Sequence, residues 1–512
     1  DLDYLIDKVK IFKTHFATLD IRQDHSVHTQ VVEAILKTNG LISENIGELN
    51  KQELIDILIH KDIDLQVQNY EEDIVKETIQ NILQLRGIQE KNGEEGCNRY
   101  VISNSESVFS VLFVYGLFRW CGWESDKITF DIIPLFETMK GMESSENTMN
   151  ELFDLPEYKK HLAQRHNKQT IMLGFSDGTK DGGYVKANWE IFKTKEKLSA
   201  VCDRNDIKAI FFDGRGGPPA RGGGKTHRFY AAQTKDIANN EIQLTIQGQT
   251  ITSTYGTKEQ FIHNSEQLLT AGLSNNFFGK ENVISKESRQ LLEELSDLSF
   301  EKYDALKNHD KFIAYLENKS TLKYYQKANI GSRPGKRGHK KKLELTDLRA
   351  ISFVGSWSQL KQNVPGYFGI GTAIKILKDQ GKLEDLKKLF KEVPLFKALM
   401  LNSMMSLAKC YFELTSYMKD DVEYGEFWNI LYEEYLLSKE MLLLISDSKI
   451  LMEKESVSRE SVKIRENIVL PLLVIQQFAL QQMSKETEYK ELYEKIVIRS
   501  LYGNINASRN SA

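Results

Sequence analysis

Five short, nearly continuous apolar runs constrain the fold of this chain more than any other feature of its sequence. They are FATLDIR (16–22), FDIIPLFE (130–137), QTIMLGFSD (169–177), IKAIFFD (207–213) and IQLTIQGQ (242–249). Such runs are expected for strands that are buried on both faces of a sheet. Helical patterns separate most of them, and alternating strands and helices predict a parallel sheet. The predicted fold class is therefore α/β.

The ends of these runs indicate where chemistry would occur. Each run finishes on a charged residue or on amides, and functional side chains of (β/α) barrels lie at the carboxyl ends of the strands. We find only five to seven strand candidates, fewer than the eight of a closed barrel. The chain begins at Asp1, inside the amphipathic pattern LDYLIDKVKIFKTHF. We therefore expect an incomplete barrel whose N-terminal part is missing from this sequence.

From about residue 385 onward nearly all of the sequence has helical periodicity, as in LEDLKKLFKEVPLFKALMLNSMMSLAKCYFELTSYM. We predict a barrel-forming part over residues 1–384 and a helical region over residues 385–512. The longest uncharged stretch, NIVLPLLVIQQFALQQMS (467–484), contains four glutamines and a proline. It predicts a buried core helix rather than a membrane span.

Composition excludes several classes of protein. Apolar residues make up 41% of the chain and charged residues 27%, as in soluble globular proteins. The net charge of −4 argues against nucleic acid as the general partner. Four cysteines without paired spacing indicate a reducing compartment, with no disulfide framework and no zinc site. We expect a cytoplasmic protein that does not bind membranes.

A glycine-rich stretch follows the fourth run, in FFDGRGGPPARGGGKTHRF (211–229). Residues 214–224 contain six glycines and two arginines, and Lys225 and Arg228 follow. Glycine allows backbone to approach a ligand closely, and the arginine guanidinium suits oxyanions. A flexible surface linker is the alternative, but linkers are usually Gly/Ser-rich with few charges. We favour a phosphate or carboxylate ligand.

A second distinctive loop, NIGSRPGKRGHKKKLELTDLRAISF (329–353), has six lysines and arginines between Arg333 and Lys342. Basic runs of this kind are often misread as nuclear-localisation or RNA-binding signals. We place this loop at the rim of a folded site.

The strand ends bring acids and bases into one predicted cluster. Its carboxylates are Glu137 and Asp177, and its cations are Arg22, Lys180, Arg215 and Arg349. One interpretation is ion pairing at the rim of a barrel. The other is a divalent metal held by two hard oxygen ligands, with water and substrate completing its shell. In that case the arginines would hold a phosphate beside the metal.

These residues lie in motifs that resemble those of the phosphoenolpyruvate carboxylase family. LDIRQDHSVHT, YVIS, PLFET, GFSDGTKDGG, DGRGGPPARGGG, NIGSRPGKR, DLRAI and the terminal ASRNSA occur in the family's order, from Arg22 to the last residues. The resemblance implies an eight-stranded (β/α) barrel, similar to a TIM barrel, inside a large and mostly helical homotetramer. It also implies that phosphoenolpyruvate and bicarbonate are converted to oxaloacetate and phosphate with Mg²⁺ or Mn²⁺.

The resemblance also assigns a role to each matching residue of the active site. Glu137 and Asp177 take the places of metal ligands, and Lys180 that of a lysine linked to bicarbonate. Arg221 lies in a mobile lid over the site. The positions that grip or line the phosphate pocket are Arg22, Arg215, Arg349, Arg333 and Lys336.

A second site is implied by the same resemblance. Aspartate or malate would inhibit by binding Lys409, Arg465 and Asn510 together with Arg221. Since one guanidinium cannot serve both anions, the inhibitor would draw Arg221 away from the active site.

Two departures from the family pattern leave other interpretations open. The family usually has histidine where this chain has Asp213, and a histidine motif, Thr-Ala-His-Pro-Thr-Glu, is absent from this sequence. We expect Asp213 to orient an arginine or the lid rather than to donate a proton. The alternatives are another phosphoenolpyruvate-using barrel enzyme, for which we find no Walker A pattern, and a catalytically inactive relative that serves as an allosteric or assembly subunit.

Overall fold

The computed structural model describes residues 1–237, 241–246, 248–277, 283–325, 327, 343–485 and 488–508. Its sheet consists of β1 (Asp20–Asp24), β2 (Arg99–Ser103), β3 (Asp131–Phe136), β4 (Lys168–Gly174), β5 (Lys208–Gly214) and β6 (Ile242–Leu244). The strands lie side by side in chain order, and β1 to β4 pair in parallel. The predicted α/β class and parallel sheet are confirmed, whereas a closed eight-stranded barrel stays a prediction.

Helices connect the strands and make up most of the remaining chain. Up to β5 they are α1 (Leu2–Phe12), α2 (His25–Thr38), α3 (Lys51–His60), α4 (Asp73–Asn92), α5 (Val108–Trp120), α6 (Met139–Asp154), α7 (Pro156–Gln164), α8 (Phe175–Gly182) and α9 (Tyr184–Arg204). After β5 come α10 (Thr226–Ala231), α11 (Gly248–Tyr255), α12 (Lys258–Phe277), α13 (Lys286–Lys307), α14 (Phe312–Lys319), α15 (Leu322–Tyr325), α16 (Ala350–Gln359) and α17 (Ile370–Asp379). The last five are α18 (Leu383–Glu392), α19 (Pro394–Ala408), α20 (Gly425–Ser446), α21 (Ser456–Met483) and α22 (Lys490–Ser508).

Local sequence explains where several helices begin. At the start of α3 the Asn50 side chain accepts a hydrogen bond from the backbone N–H of Glu53, and the Glu53 carboxylate accepts one from the N–H of Asn50. This capping box satisfies two N–H groups that have no partner within the helix. Asp24 caps α2 in a similar way by accepting from the backbone of Ser26. Asp24 thus ends β1 and starts the helix that follows it.

Four strand predictions need correction. In FATLDIR the strand begins only at Asp20 and continues to Asp24, so Arg22 lies within β1 rather than at its end, and Phe16 and Leu19 are exposed. YVIS forms most of β2, although it is not among the five apolar runs. In QTIMLGFSD the strand ends at Gly174, and the last three residues form the first turn of α8. In IQLTIQGQ only Ile242–Leu244 is a strand, and α11 begins at Gly248. The polar threonine and glutamine side chains of this last run do not suit a strand that is buried on both faces, and β6 is only half-buried.

The chain forms two compact units that interleave along the sequence. The first consists of residues 1–174, 193–213 and 238–243, and the second of residues 175–192, 214–237 and 244–512. The boundary predicted after residue 384 stays a prediction.

In the first unit one face of the sheet has its own apolar cluster. Its members are Val101, Ile133, Leu135, Met172 and Phe212, which come from strands β2 to β5. The guanidinium of Arg22, on β1, lies 5.5 Å from the centre of the Phe212 ring. In a flat sheet β1 and β5 would be about 19 Å apart, at roughly 4.8 Å per strand. The sheet is therefore curved, and this face is concave.

In the second unit aromatic side chains form the centre of the helical core. Phe312, Tyr315, Trp357 and Phe427 are fully or almost fully buried and contact one another. The predicted helices after residue 385 are present as α18 to α22.

The uncharged stretch 467–484 lies in α21, but it is not the buried core helix that its composition predicts. Val469, Leu473 and Gln476 are buried, whereas Ile468, Ile475 and Phe478 are each more than half exposed. The apolar residues of this stretch surround the helix, so only one side of it can pack on the unit. Among the described helices none is both long and apolar enough to span a bilayer.

Candidate active site

Glu137 lies immediately after β3 and is 6% exposed. Its Oε1 accepts a hydrogen bond of 3.0 Å from the backbone N–H of Asn104, which follows β2. Gly174, at the end of β4, leaves room for it, because a Cβ at that position would lie 2.3 Å from the Cβ of Glu137. The ends of three adjacent strands thus define where this carboxylate lies.

Arg22 extends from β1 on the concave face of the sheet. Its Nη2 donates to Asp20 Oδ2 at 3.0 Å, and its guanidinium lies over Phe212. The side chain remains 31% exposed. Partial exposure leaves this cation accessible to an anionic ligand.

Asp213 lies at the end of β5 and is fully buried. Successive side chains of a strand point to opposite faces, so Asp213 points away from the face that carries Phe212. The Nζ of Lys195, on α9, lies 2.7 Å from its Oδ1 and 2.9 Å from its Oδ2. Sequence analysis did not identify Lys195, because nothing in the periodicity of α9 distinguishes a buried lysine from an exposed one.

In the second unit Asp177 and Lys180 lie three residues apart on α8. Lys180 Nζ is 3.3 Å from Asp177 Oδ1 and donates to the backbone oxygen of Leu348 at 2.8 Å. The hydroxyl of Tyr303 donates to the backbone oxygen of Lys180 at 2.8 Å. Since Leu348 directly precedes Arg349, these contacts bring Asp177, Lys180 and Arg349 into one neighbourhood.

The glycine-rich stretch folds back on itself in this unit. Arg215 Nε donates to the backbone oxygen of Gly222 at 2.5 Å, and its guanidinium lies 4.3 Å from the centre of the Phe229 ring. Gly222 is required for two reasons: its φ is +77°, and a Cβ there would lie 2.5 Å from Phe175. These contacts hold Arg215 in a buried position.

Arg221 is 3% exposed, and its Nε donates to Ser176 Oγ at 3.3 Å. Burial lowers the pKa of Arg221 to about 10, while the nearby charge of Asp177 acts in the opposite direction. The guanidinium is therefore still protonated at neutral pH, beside Asp177 and its neighbours. The predicted movement of this segment as a lid stays a prediction.

The two other cations of this stretch are occupied elsewhere. Lys225 and Arg228 both bind Glu455, at 2.6 Å and 2.7 Å. They anchor the end of the glycine-rich stretch rather than extend its cationic surface.

Lys409 and Arg465 line one small cavity of about 40 Å³. Lys361, Glu466 and Asn504 also line it, and Lys361 binds Glu466 at 2.6 Å. Burial, followed by the charges of Lys361 and Arg465, lowers the pKa of Lys409 to about 8. A cavity with three cations and one carboxylate suits an anion. Arg221 is not among its lining residues.

Three predicted site residues, Arg333, Lys336 and Asn510, lie outside the described residues. The structure adds three that sequence analysis missed, namely Asn104, Lys195 and Tyr303. Asn104 directly follows the YVIS segment, so its place after that segment was the one available signal. Nothing in the sequence marks Tyr303, which lies 123 residues from Lys180.

Comparison with known proteins decides the family. The family model described as phosphoenolpyruvate carboxylase matches residues 1–508. The chain belongs to the phosphoenolpyruvate carboxylase family. It is 30% identical over 531 residues to the phosphoenolpyruvate carboxylase of Corynebacterium glutamicum, covering 100% of this chain and 57% of that protein. It is 31% identical over 486 residues to the phosphoenolpyruvate carboxylase of Nitrosomonas eutropha, covering 91% of this chain and 52% of that protein. The chain thus spans about half the length of these curated relatives.

Glu137 and Asp177 each supply carboxylate oxygens, the hard donors that Mg²⁺ and Mn²⁺ prefer. A group of three or more His, Cys, Asp or Glu side chains that could hold a metal does not occur within the described part of the chain. That Glu137 and Asp177 hold one ion, with water and substrate oxygens completing its shell, stays a prediction.

Proposed function

We propose that this chain belongs to an active phosphoenolpyruvate carboxylase, which forms oxaloacetate and phosphate from phosphoenolpyruvate and bicarbonate. The observation that carries this proposal is the neighbourhood of Asp177, Lys180, Arg221 and Arg349, which combines a carboxylate with three cations at positions that match the family's motifs. We further propose a cytoplasmic, anaplerotic homotetramer with the barrel of its family.

In this proposal the cations bind and align two anions. Arg22, Arg215 and Arg349 bind the phosphate of phosphoenolpyruvate, with Arg333 at the same pocket, and Lys180 places bicarbonate beside it. Neutralising both charges and aligning the reacting atoms lowers the barrier to attack. Bicarbonate oxygen attacks phosphorus, the bond from phosphorus to the enol oxygen breaks, and carboxyphosphate and the enolate of pyruvate form.

Carboxyphosphate then releases carbon dioxide and phosphate, and the enolate carbon adds to carbon dioxide. Mg²⁺ or Mn²⁺ held by Glu137 and Asp177 would supply Lewis-acid stabilisation of the negative charge. Water must be excluded, because a proton would convert the enolate to pyruvate. The glycine-rich stretch with Arg221 is the segment that closes the site.

The assay that tests this proposal follows oxaloacetate in the full-length protein with Mg²⁺, bicarbonate and phosphoenolpyruvate. We expect steady oxaloacetate formation that requires all three. Release of pyruvate without oxaloacetate would contradict the proposal.

A catalytically inactive relative that serves as an allosteric or assembly subunit is the second candidate. The observation in its favour is Asp213, which stands where the family usually has histidine and is paired with Lys195. An inactive relative would still bind aspartate or malate but would form no oxaloacetate.

A further inference from the structure

Asn104 has a backbone conformation that few residues adopt. It follows β2 with a φ of +56°, in the left-handed region where Asn and Asp are the most frequent residues after glycine. The next residue, Ser105, is again bonded to a strand, because its backbone N–H donates to the backbone oxygen of Leu135, in β3, at 3.1 Å. Asn104 alone is left-handed here, between the end of β2 and the residue that bonds to β3.

The backbone N–H of Asn104 points at Glu137. The N–H donates to Glu137 Oε1 at 3.0 Å. A carboxylate that accepts a backbone N–H bond in a buried site loses freedom to rotate, because breaking the bond would leave a buried polar group unpaired. Asn104 therefore restricts the orientation of the Glu137 carboxylate.

The Asn104 side chain is held from the opposite side. Its Nδ2 donates to Asp24 Oδ2 at 2.6 Å. Asp24 is itself held, since it accepts from the backbone and the hydroxyl of Ser26 at 3.0 Å and 2.8 Å. One chain of contacts thus connects the end of β1, the residue after β2 and the residue after β3.

We propose that Asn104 is a positioning residue for Glu137. Its N–H holds the carboxylate, while its left-handed φ and the bond of its side chain to Asp24 fix the backbone at this point. The role rests on the proposed function, in which Glu137 is a metal ligand. Groups that orient a metal ligand typically change metal affinity by about 10- to 100-fold when they are replaced.

The test compares variants of the full-length protein by Mn²⁺ titration with electron paramagnetic resonance and by thermal unfolding. Asn104→Val cannot adopt a positive φ without strain, so we expect the Mn²⁺ Kd to rise about tenfold or more. Asn104→Gly allows the same positive φ without strain but loses the bond to Asp24, so we expect its Kd to rise by no more than about threefold. If Asn104→Val does not fold, Asn104→Ala replaces it, with a smaller loss in the same direction.

Asn167 provides a matched control, because it also has a positive φ, of 52°, but precedes β4 at the opposite end of that strand from Gly174. We expect Asn167→Val to lower the melting temperature without changing the Mn²⁺ Kd. The proposal is overturned if Asn104→Val binds Mn²⁺ as tightly as the parent. It is also overturned if Asn104→Gly, or the Asn167→Val control, loses as much Mn²⁺ affinity as Asn104→Val.

Glu137→Gln separates this proposal from the proposed function. If Glu137→Gln leaves Mn²⁺ binding unchanged, Glu137 is not a ligand and the role of Asn104 is overturned with it. If the parent binds Mn²⁺ through Glu137 but forms no oxaloacetate, the proposed function fails, and the Asn104 variants still decide the positioning role.

Discussion

Lys195 Nζ lies 2.7 Å from Asp213 Oδ1, and both side chains are almost completely buried. The pair connects α9 to the end of β5, on the face of the sheet opposite to Phe212. The buried carboxylate thus has a cation of its own, which offsets the cost of burying its charge. Asp213 therefore has a structural role, and its expected role in orienting an arginine or the lid stays a prediction.

We expect Asp213→Ala to be strongly destabilising, because it leaves a buried ammonium group without its carboxylate. Breaking such a pair typically costs about 3–5 kcal/mol. The double variant Lys195→Met/Asp213→Leu removes both charges, so we expect it to unfold at a higher temperature than Asp213→Ala. Calorimetry of the full-length protein measures both midpoints, and a double variant less stable than Asp213→Ala would contradict the predicted coupling.

Asp177→Asn tests the second metal ligand in the full-length protein. The change removes an anionic donor while keeping the size of the side chain, so we expect Mn²⁺ affinity and kcat to fall together, each by about tenfold or more. Asp181→Asn is the matched control, because Asp181 lies on the same helix and contacts Lys307. Unchanged Mn²⁺ affinity in Asp177→Asn would remove this carboxylate from the metal site.

Gly174→Ala tests whether the strand ends define the position of Glu137. The added Cβ would lie 2.3 Å from the Glu137 Cβ, so one of the two backbones must move. We expect about 1–3 kcal/mol of destabilisation together with weaker Mn²⁺ binding. Gly87→Ala, on α4, meets no atom within 4 Å and should slightly stabilise the protein through helix propensity. Normal Mn²⁺ binding by Gly174→Ala would show that Glu137 tolerates the shift.

Lys409→Ala and Arg465→Ala test the inhibitor site. We expect aspartate or malate inhibition to be lost while most activity remains, because both cations line a cavity that is suited to an anion. Lys397→Ala, at an exposed lysine of the helix that precedes Lys409, should stay sensitive to the inhibitor. If both cavity variants respond to aspartate as the parent does, the inhibitor binds elsewhere.

Inhibition should also weaken at alkaline pH. Burial lowers the pKa of Lys409 to about 8, so the ammonium form that attracts a dicarboxylate predominates below this pH and is lost above it. We expect the inhibition constant to be nearly flat up to about pH 7 and to rise by up to about tenfold per pH unit above pH 8. Lys409→Arg stays charged throughout and should abolish this dependence. An unchanged pH profile in that variant would assign the titration to another group.

Reciprocal linkage between the two sites follows from the proposed role of Arg221. If the inhibitor draws this arginine from the active site, active-site ligands must weaken aspartate binding by the same factor. Isothermal titration of aspartate with and without a phosphoenolpyruvate analogue measures that factor. Equal aspartate affinity under both conditions would exclude Arg221 as the link.

Sequence alone determined the α/β class and the parallel sheet, and it correctly placed Glu137 and Asp213 at strand ends. Apolar runs are visible locally, and the polar residues at their ends include Glu137, directly after β3, and Asp177, in the first turn of the helix that follows β4. The order of the motifs along the chain indicated the family. Each motif is a contiguous stretch, so it can be read from the sequence without knowledge of the fold. The lengths of the runs did not give the lengths of the strands. The last three residues of QTIMLGFSD and the last two of IQLTIQGQ belong to helices.

Only the tertiary structure decided which partners hold these residues. Lys195 pairs with Asp213 across 18 residues, Asn104 reaches Glu137 across 33, and Tyr303 holds Lys180 across 123. A lysine on a helix and an asparagine after a strand have many possible environments. Their roles arise when packing removes water around them, since a buried charge or N–H group must then find a partner that distant segments supply.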